Sequence, residues 1–133
     1  MHEWIFKRLL IFKPPVMTTK EVAEKFYAYM QQGAFDKIYS ELYSQDATSE
    51  EAPGSDWPPA KGMKELREKG KKWNETVEAM HGGSTAEPVV AGNYFTCYMT
   101  MDFTRKDGLR INMEEIGLYK VKNGRIVSEQ FFS

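Results

Sequence analysis

Cysteine is almost absent. Cys97 stands alone among 133 residues, so neither an internal disulfide nor a multi-cysteine metal site can form. No charge of one sign prevails: eighteen basic residues face nineteen acidic ones, for a net charge of -1. That leaves no strong field to gather phosphates and argues against nucleic acid as a partner. Long apolar runs are missing as well. Residues 1–16 read MHEWIFKRLLIFKPPV, in which Lys7 and Arg8 split the apolar stretch. Its longest piece, Leu9 to Phe12, falls far short of the ~20 residues of a membrane span. No small-residue cleavage site follows, so the expectation is a cytoplasmic protein with no membrane partner. Motifs are also lacking: there is no GxGxxG, P-loop, HExxH or GxSxG. His2 and His81 are the only histidines. Glu50, Glu51, His81 and Glu87 could surround an ion only by coincidence of folding, so no metal is expected. What is left is acid–base chemistry by single His, Asp and Glu side chains, with no obligatory cofactor.

Aromatic residues are plentiful at 14%, and there are eight methionines. Such adaptable apolar surface points to a cavity or an interface. The chain is the length of one domain. Pro14-Pro15 ends any regular element begun before it, so residues 1–16 read as an appendage and 17–133 as the domain. A helix there would align Ile5, Leu9 and Phe12, which is the alternative of a surface-binding segment. Thr18-Thr19-Lys20-Glu21 is a capping box, after which Val22, Phe26, Tyr29 and Met30 recur at helical spacing until Gly33. Phe35, Ile38 and Leu42 mark a second, short helix. Tyr43–Lys61 is polar, carries four prolines and glycines with Trp57 among them, and reads as a loop with at most a short strand. A third helix is expected from about Met63 to Met80, with Met63, Leu66, Trp73, Val77 and Met80 on one face and the pair Glu65–Lys69 on the other.

After Gly82-Gly83 the period becomes two. A strand is expected near Thr85–Val90. Then Phe95, Cys97, Met99, Met101 and Phe103 alternate with Tyr94, Thr96, Tyr98, Thr100 and Asp102. Residues 110–121 follow as a strand, and Lys122-Asn123-Gly124 turns into 125–132. Ile111 and Met113 are apolar at odd positions, Ile116 and Leu118 at even ones. This phase change predicts a β-bulge at Glu114-Glu115 that bends the sheet and turns Glu115 inward. A three-residue turn with Val121 opposite Arg125 would align Glu115, Tyr119 and Glu129 on one face. A two-residue turn would put Glu129 on the other.

Several segments together resemble a known family. Glu115 to Phe132 resembles the closing hairpin of SnoaL-like proteins, in the nuclear transport factor 2-like superfamily. Leu42-Tyr43-Ser44-Gln45-Asp46-Ala47 is similar to the family's exit from its second helix, and Ala60-Lys61-Gly62-Met63-Lys64-Glu65-Leu66 to its third-helix entry. The resemblance spans about residues 18–132. It implies an α+β fold: three N-terminal helices packed on a curved, mostly antiparallel sheet of about four to six strands, a cystatin-like cone. It also implies a small apolar or amphipathic ligand at the wide end, and commonly a homodimer through the sheet. It does not choose among isomerase, cyclase, dehydratase and non-catalytic binding module.

The candidate proton-transfer residues are Glu115, Glu129, His81 and Asp46. Glu115 and Glu129 interrupt apolar strands, where burial would raise a carboxylate's pKa. His81 is either a proton shuttle or a helix-terminal histidine capped by Gly82. Asp46 is compared with the base of the ketosteroid isomerase branch, on resemblance alone. Asp102 is expected on the outer face. Phe26, Tyr29, Trp57, Trp73, Phe95, Met99, Met101 and Tyr119 are the expected ligand-lining residues, Trp57 as a lid and Tyr29 either as a hydrogen-bond donor or as core. Tyr94, Thr96, Tyr98 and Thr100 form the face expected to dimerise.

Overall fold

Helix α1 spans Thr19–Gln32 in a computed structural model that describes residues 16–133. All of the expected appendage except Val16 therefore lies outside the described residues. Thr18 caps α1. Its N–H donates to the Glu21 carboxylate at 3.0 Å, and its hydroxyl accepts from the Glu21 N–H at 3.2 Å. Gly33 ends the helix with φ 68°. The short helix α2, Phe35–Lys37, runs into a π-helical turn, Ile38–Leu42, which buries Ile38 and Leu42.

Strand β1, Tyr43–Glu50, occupies what reads as loop. Its polarity hides it: only Tyr43, Leu42 before it, Ala47 and Ser49 are buried here. It pairs antiparallel with β2, Ala60–Lys61, and parallel with β7, Arg125–Phe132. Helix α3 covers Met63–Thr76, four residues shorter than its periodicity suggests. The Thr76 hydroxyl donates back to the Trp73 carbonyl at 2.6 Å, and the β-branched Thr76-Val77 pair leads into strand β3, Val77–Thr85. β3 and the short β4, Val89–Ala91, both pair with β5, Tyr94–Arg105. They replace the single strand expected near residues 85–90.

Strand β6, Arg110–Lys122, completes a seven-stranded sheet in the order β2-β1-β7-β6-β5-β3, with β4 also on β5. The helices are thus not all N-terminal, since β1 and β2 precede α3. The strands outnumber those expected, and one pair is parallel. α1 packs against β3, β4, β5 and β6, and α3 against β1, β2 and β3.

No bulge lies at Glu114-Glu115. The β5–β6 ladder is unbroken, with Glu115 opposite Met99. The odd residues of β6 face inward throughout, and Ile116 and Leu118 are apolar residues on the outer face. The bulge sits on β7 instead. Tyr119 pairs with Glu129 and Lys120 with Ser128, but Val121 pairs with Ile126, so Val127 is the extra residue. The turn is the two-residue one, Asn123 (φ 50°) and Gly124 (φ 74°), with Lys122 opposite Arg125. Alone it would turn Glu129 outward. The bulge returns Glu129 to the inner face beside Tyr119.

The core between α1 and the sheet is filled by rings. Phe95 and Tyr119 stack at 4.8 Å, and Phe26 packs against both, at 5.4 and 4.7 Å between centroids. Burial of each ring contributes about 2 to 3 kcal/mol. Tyr119 leans back along its own strand over Gly117. A Cβ on Gly117 would meet the Tyr119 hydroxyl oxygen at 2.6 Å and the ring at 2.7 Å. Gly117→Ala is expected to cost about 2 kcal/mol through this overlap. Urea unfolding checks it: the midpoint should fall at unchanged slope. An unaltered midpoint would mean that the ring swings away freely.

Candidate functional site

A buried polar network links β7, β1 and α3. Glu129 on β7 is 6% exposed. Tyr43 donates to its Oε1, and Ser49 donates to its Oε2 at 2.7 Å. Lys69 reaches in from α3 and donates to Ser49 Oγ at 2.7 Å and to Glu51 Oε1 at 2.6 Å. Burial raises the Glu129 pKa, while the two hydroxyl donors and the Lys69 charge oppose that rise. The neighbouring tyrosines are held protonated. Burial pushes Tyr39 up to about 12, with help from the Glu129 charge, and Tyr43 and Tyr119 are raised for the same reasons in the same order. These phenols can donate hydrogen bonds but cannot act as bases near neutrality.

Glu115 is different. It is half-buried on the inner face of β6 and accepts no hydrogen bond among the described residues. Burial, then the charges of Glu51 and Glu129, lift its pKa to about 7, with Lys69 opposing. A group poised there can take up or release a proton at physiological pH.

A cavity of about 440 Å³ reaches Met113, the inward residue before Glu115 on the same strand. Trp57, Trp73, Phe103 and Met113 supply its apolar wall, and Arg105, Lys106 and Asp107 its rim. Trp73 meets Phe103 edge to face at 5.2 Å. Met113 and Glu115 are successive inward residues of β6, so the carboxylate lies about 7 Å further in along the strand. Among the described residues, no three His, Cys, Asp or Glu side chains converge to hold a metal. None of the described helices is long and apolar enough to cross a membrane.

Comparison with known proteins gives the family. A model of the SnoaL-like domain matches residues 17–133. The chain belongs to the SnoaL-like family. A protein of Mesorhizobium loti assigned as a SnoaL-like polyketide cyclase is 36% identical, with a TM-score of 0.82 over 88% of this chain and 100% of that one. A Xanthomonas campestris protein of cystatin-like fold is 18% identical, with a TM-score of 0.73 over 88% and 91% of the two chains. TerC, crystallised with polyporic acid, is 13% identical, with a TM-score of 0.69 over 86% and 91%. The last two share the fold. No curated protein matches.

The other sequence-derived candidates scatter across this SnoaL-like domain. Asp46 is exposed in β1, away from the interior. His81 is exposed in the middle of β3, with Nε2 2.7 Å from Thr104 Oγ1. It terminates no helix, and Gly82 caps none, because the chain is already strand there. Tyr29 is half-buried against the core, and its hydroxyl donates to Glu41 at 2.7 Å. Phe26, Phe95 and Met99 are closed into the core. Met101 is half-buried opposite Met113. Trp57 and Trp73 line the cavity. Asp102 is on the outer face, paired with Arg110 at 2.8 Å.

Tyr39, Tyr43, Ser49, Glu51 and Lys69 are missed by sequence reasoning. One signal was available for Lys69: it shares a helical face with Leu66 and Trp73. The expected Glu65–Lys69 pair does not form. Glu65 accepts instead from the Lys61 N–H at 3.1 Å, which leaves Lys69 free to turn inward.

The Glu115 pKa makes stability depend on pH. An unfolded glutamate loses its proton near 4.5, the folded one near 7. The folded state thus holds the extra proton between these values. Its advantage is complete below 4.5 and is lost as pH rises through about 7. Glu115→Gln should therefore melt about 4 °C higher than the parent at pH 8.5, or about 1 kcal/mol once discounted for partial solvent screening. At pH 4 the two melts should coincide. Equal melting temperatures at both pH values would mark Glu115 as solvated.

Proposed function

We propose that this SnoaL-like domain carries out proton-transfer catalysis on a small, flat, mostly apolar carbonyl compound held in the aromatic cavity. Glu115 is the base. Its carboxylate removes a proton from the carbon next to the carbonyl, and the C–H electron pair passes to the carbonyl oxygen as an enolate. The enolate then collapses, either taking the proton back at another carbon, as in an isomerase, or attacking a second carbonyl, as in a cyclase. Glu115 returns the proton in either case, so nothing is oxidised and no cofactor is consumed. The Tyr119 hydroxyl, held over Gly117 on the same face of β6 as Glu115, is the phenolic donor assigned to the developing oxyanion. One observation carries the reading: a half-buried carboxylate without a hydrogen-bond partner among the described residues, poised near pH 7, one inward position beyond Met113 of an aromatic-walled cavity. The polyketide cyclase assignment of the Mesorhizobium relative supports the carbonyl substrate class.

The test is α-proton exchange of 2-tetralone in deuterium oxide, followed by NMR. Exchange should rise with pH through about 7 and then level off, as the ionised base accumulates. Glu115→Gln should slow it by about 10²- to 10⁴-fold. Exchange equal to that of buffer, or equal in the variant, would refute the catalytic reading and favour a non-catalytic binding module.

We further propose a homodimer through the outer sheet face. Tyr98, Ile116 and Phe132 stand in one row across β5, β6 and β7, and each is more than a third exposed. A row of large apolar side chains in water favours association. Sedimentation equilibrium should give a dimer at micromolar concentration and Ile116→Lys a monomer. A monomeric parent chain would sink the proposal.

A further inference from the structure

The cavity's charged lining is confined to one end. Arg105 ends β5, Lys106 and Asp107 follow it in the turn to β6, and the rest of the wall is apolar but for Thr76. The turn is held in place. The Arg105 N–H donates to the Leu109 carbonyl at 2.8 Å, and the Lys106 N–H donates to the Thr76 carbonyl at 2.9 Å, which ties the turn to the end of α3. Asp107 is saturated: Arg105 donates to both of its oxygens and the Leu109 N–H to one of them. The Lys106 ammonium forms no ion pair among the described residues. Two cations and one carboxylate leave the rim with one net positive charge.

The interior has the opposite sign. Glu51, Glu115 and Glu129 there face Lys69 alone. Charge therefore reverses along the axis of the cone. A ligand with an anionic group cannot place that group at depth without meeting carboxylates. At the rim it meets Lys106 and the outer edge of Arg105.

Resting on the cavity of the proposed function, we propose that this site selects a carboxylate-bearing substrate, its flat apolar framework against Trp73 and Phe103 and its carboxylate at Lys106 and Arg105. Attraction at the mouth and repulsion within both favour that single orientation. It directs the framework, rather than the charged group, toward Glu115.

Affinities of 2-naphthoate and of the neutral 2-naphthamide for the whole chain, measured by ligand-observed NMR, test the proposal. Naphthoate should bind about 5-fold tighter at low salt, the size expected of an exposed charge pair, and the margin should shrink as salt is added. Lys106→Met should remove the preference and leave amide affinity unchanged, and Lys106→Arg should keep it. Lys106 is exposed, so neither variant threatens the fold. Equal affinities for the two probes, or a preference that survives Lys106→Met, would overturn the inference. Failure of both probes to bind would overturn the cavity assignment too. The preference is read without turnover, so an absence of proton exchange in tetralone leaves it standing.

Discussion

A carboxylate at 6% exposure within an apolar sheet is costly unless its oxygens are answered, and both oxygens of Glu129 are. The answering groups, Tyr43 and Ser49, both come from β1. That strand pairs parallel with β7, with Ser49 opposite Glu129 itself. The contact that satisfies the charge therefore also sets the register that brings β1 into the sheet. Lys69 extends the same network to α3, and Glu51 extends it to the start of the Trp57 loop. One buried acid thereby fixes a strand, a helix and the root of a loop around the mouth of the cone. A network of this kind stabilises only when complete, and no buried side-chain polar atom of the described residues is left without a partner.

The parts of this arrangement legible in the sequence are those written locally. Thr18 and Glu21 form their capping box from four adjacent residues. Asn123-Gly124 makes its turn because both residues accept positive φ. The alternation of β5 declares its buried face, and Glu115 and Glu129 attract notice because they interrupt apolar strands. What is not legible depends on partners far away in the chain. Ser49 and Glu129 lie 80 residues apart, and nothing around Ser49 announces a strand. Val77 and Met80 continue the helical period of α3, yet pairing with β5 draws them into β3.

The inward position of Glu129 shows how a local rule and a distant one combine. Its turn has two residues, which by alternation alone sends it outward. The bulge at Val127 reverses that result within five residues of the turn. Glu115 reaches the same face with no bulge, by unbroken alternation from Ile111 to Val121. The phase change in apolar residues on β6 records an apolar outer face, where Ile116 and Leu118 stand, and not a bend. An apolar residue on the period of a strand therefore need not mark the core face: Ile116 is 47% exposed.

Two glutamates on neighbouring strands thus face the same interior with different surroundings. Glu129 has two hydroxyl donors and, through Ser49, a lysine. Its hydrogen bonds are spent inside the fold, which makes it an anchor for β1 and Lys69. Glu115 has none of these donors and feels the negative charge of its neighbours. Differences of this kind separate the roles of two otherwise identical side chains. Among the described residues the other buried polar side chains are paired, and Glu115, an inward carboxylate left without a partner, is where local consistency gives way. Such a departure is expected where a protein needs a proton to come and go. The anchor keeps the interior acidic and the walls in place. Burial first, and the charges of Glu51 and Glu129 second, keep Glu115 from ionising until the pH nears neutrality, so the anchor's charge contributes to the state of its neighbour.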